Sequence, residues 1–136
     1  MNDRDGPHRK WGKATRWLLW GGFAALWTVA LLTTFPIRAR DAILPQDYAF
    51  PTGKVLHVAA YAVFALLTAW LDIPRPWRWA LLAVLSLHAF ATEFLQQFVE
   101  RTPSLTDVAL DHLGIILGVA LSWRRWLGVT RSPPPP

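Results

Sequence analysis

Lys54, His57 and Tyr61 recur at intervals of three and four residues, so on a helix they share one face. Glu93, Gln96, Gln97 and Glu100 follow the same rule, and Arg101 comes directly after them. Asp107, Asp111, Gly114 and Gly118 mark a third stripe. Residues of these types offer two kinds of chemistry. Lys54, His57 and Arg101 are charge-assisted donors for a phosphate or carboxylate, with Glu93 and Asp111 orienting them. Alternatively, Glu93 or His57 acts as general base or acid while Arg101 stabilises developing negative charge.

The elements that must carry these stripes are long apolar segments. The chain has 136 residues, room for one domain, and 53% of them are hydrophobic. The apolar residues fall in four blocks, at about 17–35, 55–71, 79–98 and 105–123, separated by short charged or proline-containing segments. A hydrocarbon core of about 30 Å needs about 20 helical residues, so the blocks read as an all-α, four-transmembrane-helix bundle over 17–123. The second block is a little short. A basic arm (1–16) precedes the bundle, and the proline-rich tail (124–136) after it is expected to be disordered. The first block is too long for the apolar part of a cleaved signal peptide, and no small-residue cleavage site follows it.

Basic residues set the orientation. Arg4, Arg9, Lys10, Lys13 and Arg16 precede the first span, Arg75 and Arg78 lie in the second loop, and Arg124, Arg125 and Arg131 follow the last span. The opposite loops hold only Arg38, Arg40, Lys54 and Arg101, so both termini are expected in the cytoplasm. Trp17, Trp20, Trp70, Trp77, Trp79, Trp123 and Trp126 gather near the cytoplasmic ends, as interfacial aromatics do. The net charge of +5 therefore reports topology and not a nucleic-acid surface. With no cysteine there is no disulfide or zinc–sulfur site, and no metal or cofactor is expected.

On this topology the three stripes meet at the non-cytoplasmic ends, with Lys54 on the opening turns of the second span. Glu93 sits roughly 7 Å and Asp111 roughly 9 Å inside their helix ends, by helical rise. An Asp mid-span costs about 2.5–3.5 kcal/mol on insertion scales, so such groups are functional candidates by default and should face one another. A shallow polar pocket open to the outer leaflet follows. Several members also have plainer roles. Ser104 and Asp107 have the spacing of a capping box. Lys54 and Glu100 suit a solvated interface, and His57 suits a hydrogen bond across helices. Of the two glutamines, Gln96 faces the bundle better than Gln97. Gly114 and Gly118 fit a close helix contact. His88 lies about 140° around its helix from Glu93 and reads as an isolated polar contact, and His112 points away from the cluster.

The ordered set Lys54-x-x-His57-x-x-x-Tyr61, Glu93-x-x-Gln96, Arg101 and Asp107-x-x-x-Asp111-x-x-Gly114-x-x-x-Gly118 resembles the VanZ-like family over about 52–122. Members of that family are small bacterial membrane proteins named for a teicoplanin-resistance protein. Two positions depart from its pattern: Gly53 stands where an acidic residue is common, and Asp111 where asparagine is common. The resemblance implies a link to glycopeptide antibiotics or cell-envelope precursors. The expected function is therefore binding of an anionic lipid or lipid-linked envelope precursor through Lys54, His57, Tyr61, Glu93, Gln96, Arg101, Asp107 and Asp111. A membrane-embedded acid–base enzyme using Glu93 and His57 is the first alternative, and a small carrier or purely structural protein the second.

Overall fold

A computed structural model describes residues 7–99 and 101–128. Every regular element among them is an α-helix: α1 (Pro7–Leu31), α2 (Phe35–Ile43), α3 (Gln46–Trp70), α4 (Arg75–Gln96), α5 (Leu105–Leu121) and the single turn or so of α6 (Trp123–Leu127). Prolines set most of the boundaries. Pro36 stands in the first turn of α2, where its missing N–H costs nothing. Leu44, before Pro45, and Ile73, before Pro74, sit at breaks where the following ring disfavours helix. Gly128 ends α6 with φ of 70°, the left-handed conformation that glycine adopts without strain.

The four expected spans are only partly matched. α3, over Asp47–Trp70, and α4 are each long and apolar enough to cross a membrane. Gly12–Leu31 and Phe35–Ile43 reach that standard only as a pair, bent by 76° at the Thr33–Thr34 break. α5 has 17 residues, about 25 Å of rise, and falls just short. Two further differences concern boundaries. α1 runs back through the basic arm as far as Pro7, so residues 7–16 and the span are one helix. α3 begins at Gln46 and carries Pro51 inside it, which puts Lys54 two turns in from the helix start instead of on the opening turns. The Pro-rich tail from 129 on, and Glu100, lie outside the described residues.

Packing centres on α3. Tyr61, Phe64, Leu85, Ala89 and Ile115 form the core, with Trp20, Phe23, Trp27 and Leu82 against it. Phe64 meets Phe23 at 4.7 Å and Trp20 at 6.1 Å between ring centroids, both edge-to-face, an orientation aromatic quadrupoles favour. The closest helix pair is α3 with α5. A Cβ at Gly114 would run into the Val58 carbonyl, and one at Gly118 into the Ala62 carbonyl and the Ala65 Cβ. Only glycine lets these backbones approach so closely, as in small-residue contacts between membrane helices.

Large apolar side chains lie on the outside as well as in the core, and several polar groups are buried. Leu18, Leu26, Val29, Leu87, Ile116 and Leu121 face outward, whereas His57, Thr68, Thr92, Glu93, Gln96 and Asp111 are buried. The tryptophans divide in a way their positions do not indicate. Trp17, Trp70, Trp77, Trp79 and Trp123 are exposed, as anchors would be. Trp126 is fully buried against Trp79, and Trp20 donates to Thr68 at 2.9 Å.

Candidate functional site

α3 and α5 present their polar residues as rungs of one ladder. Lys54 forms an ion pair with Asp107, and one helical turn deeper His57 Nδ1 meets Asp111 Oδ1 at 2.8 Å. The Lys54 ammonium also lies 5.2 Å from the Phe50 ring centroid. Facing the Asp111 carboxylate, His57 Nδ1 is the donor. The second oxygen, Asp111 Oδ2, is buried and makes no hydrogen bond among the described residues. Tyr61, the third residue of this face, leaves the ladder and turns to α4.

There it meets His88. Tyr61 Oη lies 2.8 Å from His88 Nδ1, and Thr28 Oγ1 lies 2.9 Å from His88 Nε2. The Thr28 hydroxyl donates its one hydrogen to the Ala24 carbonyl, so it accepts from His88 Nε2. His88 Nδ1 is then the acceptor for Tyr61 Oη, and every group in the relay is satisfied. The expectation of an isolated His88 is thereby corrected: the 140° that separates it from Glu93 turns it toward α1 and α3. His112 does point elsewhere, bonded to the Val108 carbonyl and Ser86.

Glu93 is engaged through both oxygens. Oε1 accepts from Gln96 Nε2 at 3.0 Å, and Oε2 accepts from the Ser104 backbone N–H at 2.8 Å. Ser104 is the N-cap of α5 and its Oγ accepts from the Asp107 N–H. In a capping box the residue three on returns a bond to the N-cap N–H. Here Asp107 is committed to Lys54, and Glu93 from α4 supplies that return bond. Gln96 is buried and Gln97 is exposed, bonded to the Phe94 carbonyl.

Arg101, in the α4–α5 loop, reaches across the bundle to the end of α1. Its Nη1 donates to the Leu31 carbonyl at 2.5 Å and more weakly to that of Ala30 at 3.4 Å. A guanidinium here satisfies carbonyls that a helix C-terminus leaves open. Burial lowers its pKa from the usual value, Glu93 and Asp107 draw it back up, and Arg40 lowers it further.

The cluster is closed rather than open to the outer leaflet. His57, Glu93, Gln96 and Asp111 are all 5% exposed or less. Its opening lies to the side, beneath α2, where a cavity of about 90 Å³ is lined by Trp27, Leu31, Arg40, Gly53, His57 and Arg101 together with apolar neighbours. Trp27 stands edge-on to His57 at 5.8 Å, and its buried Nε1 has no acceptor among the described residues. The Arg40 guanidinium lies over Gly53, 2.9 Å from where a Cβ would be. Trp27, Arg40 and Gly53 were not legible as site residues, because they face the cavity only once α2 folds back at the 76° bend. Ligand atoms of His57, Glu93 and Asp107 also lie within 4.8 Å of one another, a spacing that suits a metal ion.

A bundle with an apolar exterior and ionisable groups buried together at one end is consistent with a helical membrane protein. A family profile described as VanZ/LLP1 matches residues 9–127, and the chain belongs to that family. The match extends the resemblance seen over 52–122 to α1 and α2. Comparison with curated proteins gives no match, and comparison with solved structures gives none either.

Proposed function

We propose that this protein spans the bacterial inner membrane four times, both termini in the cytoplasm, and holds an anionic group in the cavity beneath α2. The group would be a lipid headgroup or the phosphate of a lipid-linked cell-envelope precursor, and through it the protein would alter susceptibility to glycopeptide antibiotics. α5 counts as a span because it lies along α3 over its length and its 17 residues need little help from a thinner local bilayer. The observation that carries the binding reading is the lining itself. Arg40, Arg101 and the unpartnered Trp27 N–H converge on one small cavity that no carboxylate lines. Guanidinium pairs of this kind favour phosphate and carboxylate.

The donor set differs from the one expected from sequence. Lys54 is paired with Asp107 and does not line the cavity, whereas Arg40 lines it while also paired with Asp41 at 2.7 Å. The test is retention of a short-chain isoprenyl phosphate, against the matching isoprenol, by the purified full chain. Wild type should retain the phosphate selectively and Arg40→Gln should lose that selectivity. Equal retention of the two compounds by wild type overturns the reading.

Acid–base chemistry on such a headgroup is favoured by one feature, the buried His57–Asp111 pair beside the cavity. Glu93 is the weaker candidate for it, since both its oxygens are occupied.

A further inference from the structure

At the opposite end of the bundle the chain turns sharply at Ser122. Its hydroxyl donates to the Gly118 carbonyl at 2.6 Å and accepts from Trp126 Nε1 at 2.9 Å. That bond tucks α6 in, with Trp126 fully buried and its ring tilted against that of Trp79, 5.0 Å between centroids. A hollow of about 350 Å³ remains between α4 and α5, lined by Trp79, Leu82 and Ile116, and a larger opening runs along the seam between α3 and α5. A furrow of about 850 Å³ results. Val63, Leu66 and Leu67 form one wall, and Ala120 and Leu121 the other. By helical rise the α3 wall, from Val63 to Trp70, is roughly 10 Å long.

The rim of this furrow differs from its walls. Trp70 and Trp123 flank its end, and Arg124 and Arg125 close it. Both arginines are exposed, and neither side chain has a partner among the described residues. A second hollow of about 270 Å³ shares Trp70, Arg124 and Arg125 and adds Arg16 and Arg78. Arg16 is occupied with the Trp70 carbonyl, and the Arg78 Nη atoms with the carbonyls of Arg125 and Leu71. The Arg78 Nε, however, is buried and unpartnered among the described residues. The acid at this hollow, Asp72, is paired with Lys13 at 3.2 Å.

Arginines beside a membrane helix are commonplace and report orientation. What they do not ordinarily have is an apolar furrow leading away from them into the hydrocarbon. We infer that this furrow binds a phospholipid with a net negative headgroup. An acyl chain lies between α3 and α5, and the phosphate is held by Arg124 and Arg125. The walls exclude a polar occupant, and two unpaired guanidiniums at the rim favour a net anion over a zwitterion. This site is separate from the cavity beneath α2 and does not rest on it.

The test is native mass spectrometry of the detergent-solubilised full chain given dioleoyl phosphatidylglycerol or dioleoyl phosphatidylcholine. Wild type is expected to retain the phosphatidylglycerol several-fold better. The double variant Arg124→Gln/Arg125→Gln should retain both lipids equally, and Ala120→Trp, which fills the furrow, should retain less of each. Arg38→Gln, which removes a charge at the other end outside both sites, should keep the wild-type preference. Equal retention by wild type overturns the inference. So does a preference that survives the double arginine substitution, or retention unaffected by Ala120→Trp.

Discussion

The Glu93 carboxylate on α4 accepts the backbone N–H of Ser104 at 2.8 Å, and so completes from a different helix the cap that Ser104 begins on α5. The deepest acid of α4 is thereby tied to the first turn of α5. Removing it leaves a peptide N–H without its acceptor. Glu93→Ala should destabilise the protein by about 1–3 kcal/mol, the cost of a buried polar group left unpaired. Glu93→Gln should cost less, because an amide oxygen still accepts. Thermal melting in detergent separates the two. If Glu93→Gln abolishes isoprenyl phosphate retention at unchanged stability, the acid has a role beyond capping.

Substitutions at glycine should divide sharply by position. Gly114→Ala and Gly118→Ala each press a methyl group against a backbone carbonyl of α3, which cannot rotate away. Overpacking of this kind costs about 1–3 kcal/mol. Nothing lies within 4 Å of a Cβ at Gly21 or Gly22, so alanine there should be neutral or slightly stabilising. Similar losses at all four positions would contradict the close α3–α5 contact.

Tyr61 and His88 should behave as a coupled pair. Tyr61→Phe leaves His88 Nδ1 without its donor in the core, and His88→Leu leaves the Tyr61 hydroxyl without its acceptor. Each single change is expected to cost about 1–3 kcal/mol, and the double variant less than the sum. A double-mutant cycle by thermal melting reads the coupling, and strict additivity would argue against the relay.

For the His57–Asp111 pair the shape of the replacement should matter more than its charge. Asp111→Asn keeps an oxygen to accept from His57 Nδ1 and should be tolerated. Asp111→Leu removes the acceptor and should cost about 3–5 kcal/mol, as breaking a buried pair from one side does. The melting temperatures of the two variants check this directly.

The absence of cysteine makes the membrane topology easy to probe. Single cysteines at Gly128 and at Pro103 should be labelled by an impermeant reagent from opposite faces of inner-membrane vesicles. Labelling of both from the same face would remove α5 from the set of spans.

Several features are legible in the sequence because a helix fixes what shares a face. The burial of Gln96 over Gln97, the Gly114–Gly118 contact and the meeting of Lys54, His57, Asp107 and Asp111 all follow from spacing plus adjacency of helices. The missed features depend on something else. α2 and the early start of α3 lie in a stretch where prolines and charges hide helical character, yet Pro51 is accommodated inside α3. The reach of Arg101 to Leu31 and of Glu93 to Ser104 ends on main-chain atoms, which leave no mark on residue type. The contacts of His88 depend on where α1 and α3 stand, which its angle to Glu93 on the same helix does not specify.

α1 is held by two arginines, Arg101 on the Leu31 carbonyl at its C-terminal end and its own Arg16, in the third turn from its start, on the Trp70 carbonyl. In each case the receiving atom belongs to the peptide backbone, which every residue possesses. No substitution at Leu31 or Trp70 can delete the acceptor, whereas one change at either arginine removes that tie and leaves the helix on its remaining contacts, Lys13 to Asp72, Trp20 to Thr68 and Thr28 to His88. The lipid-facing positions of α1 are thus free to exchange one apolar side chain for another while the helix stays fastened where it is.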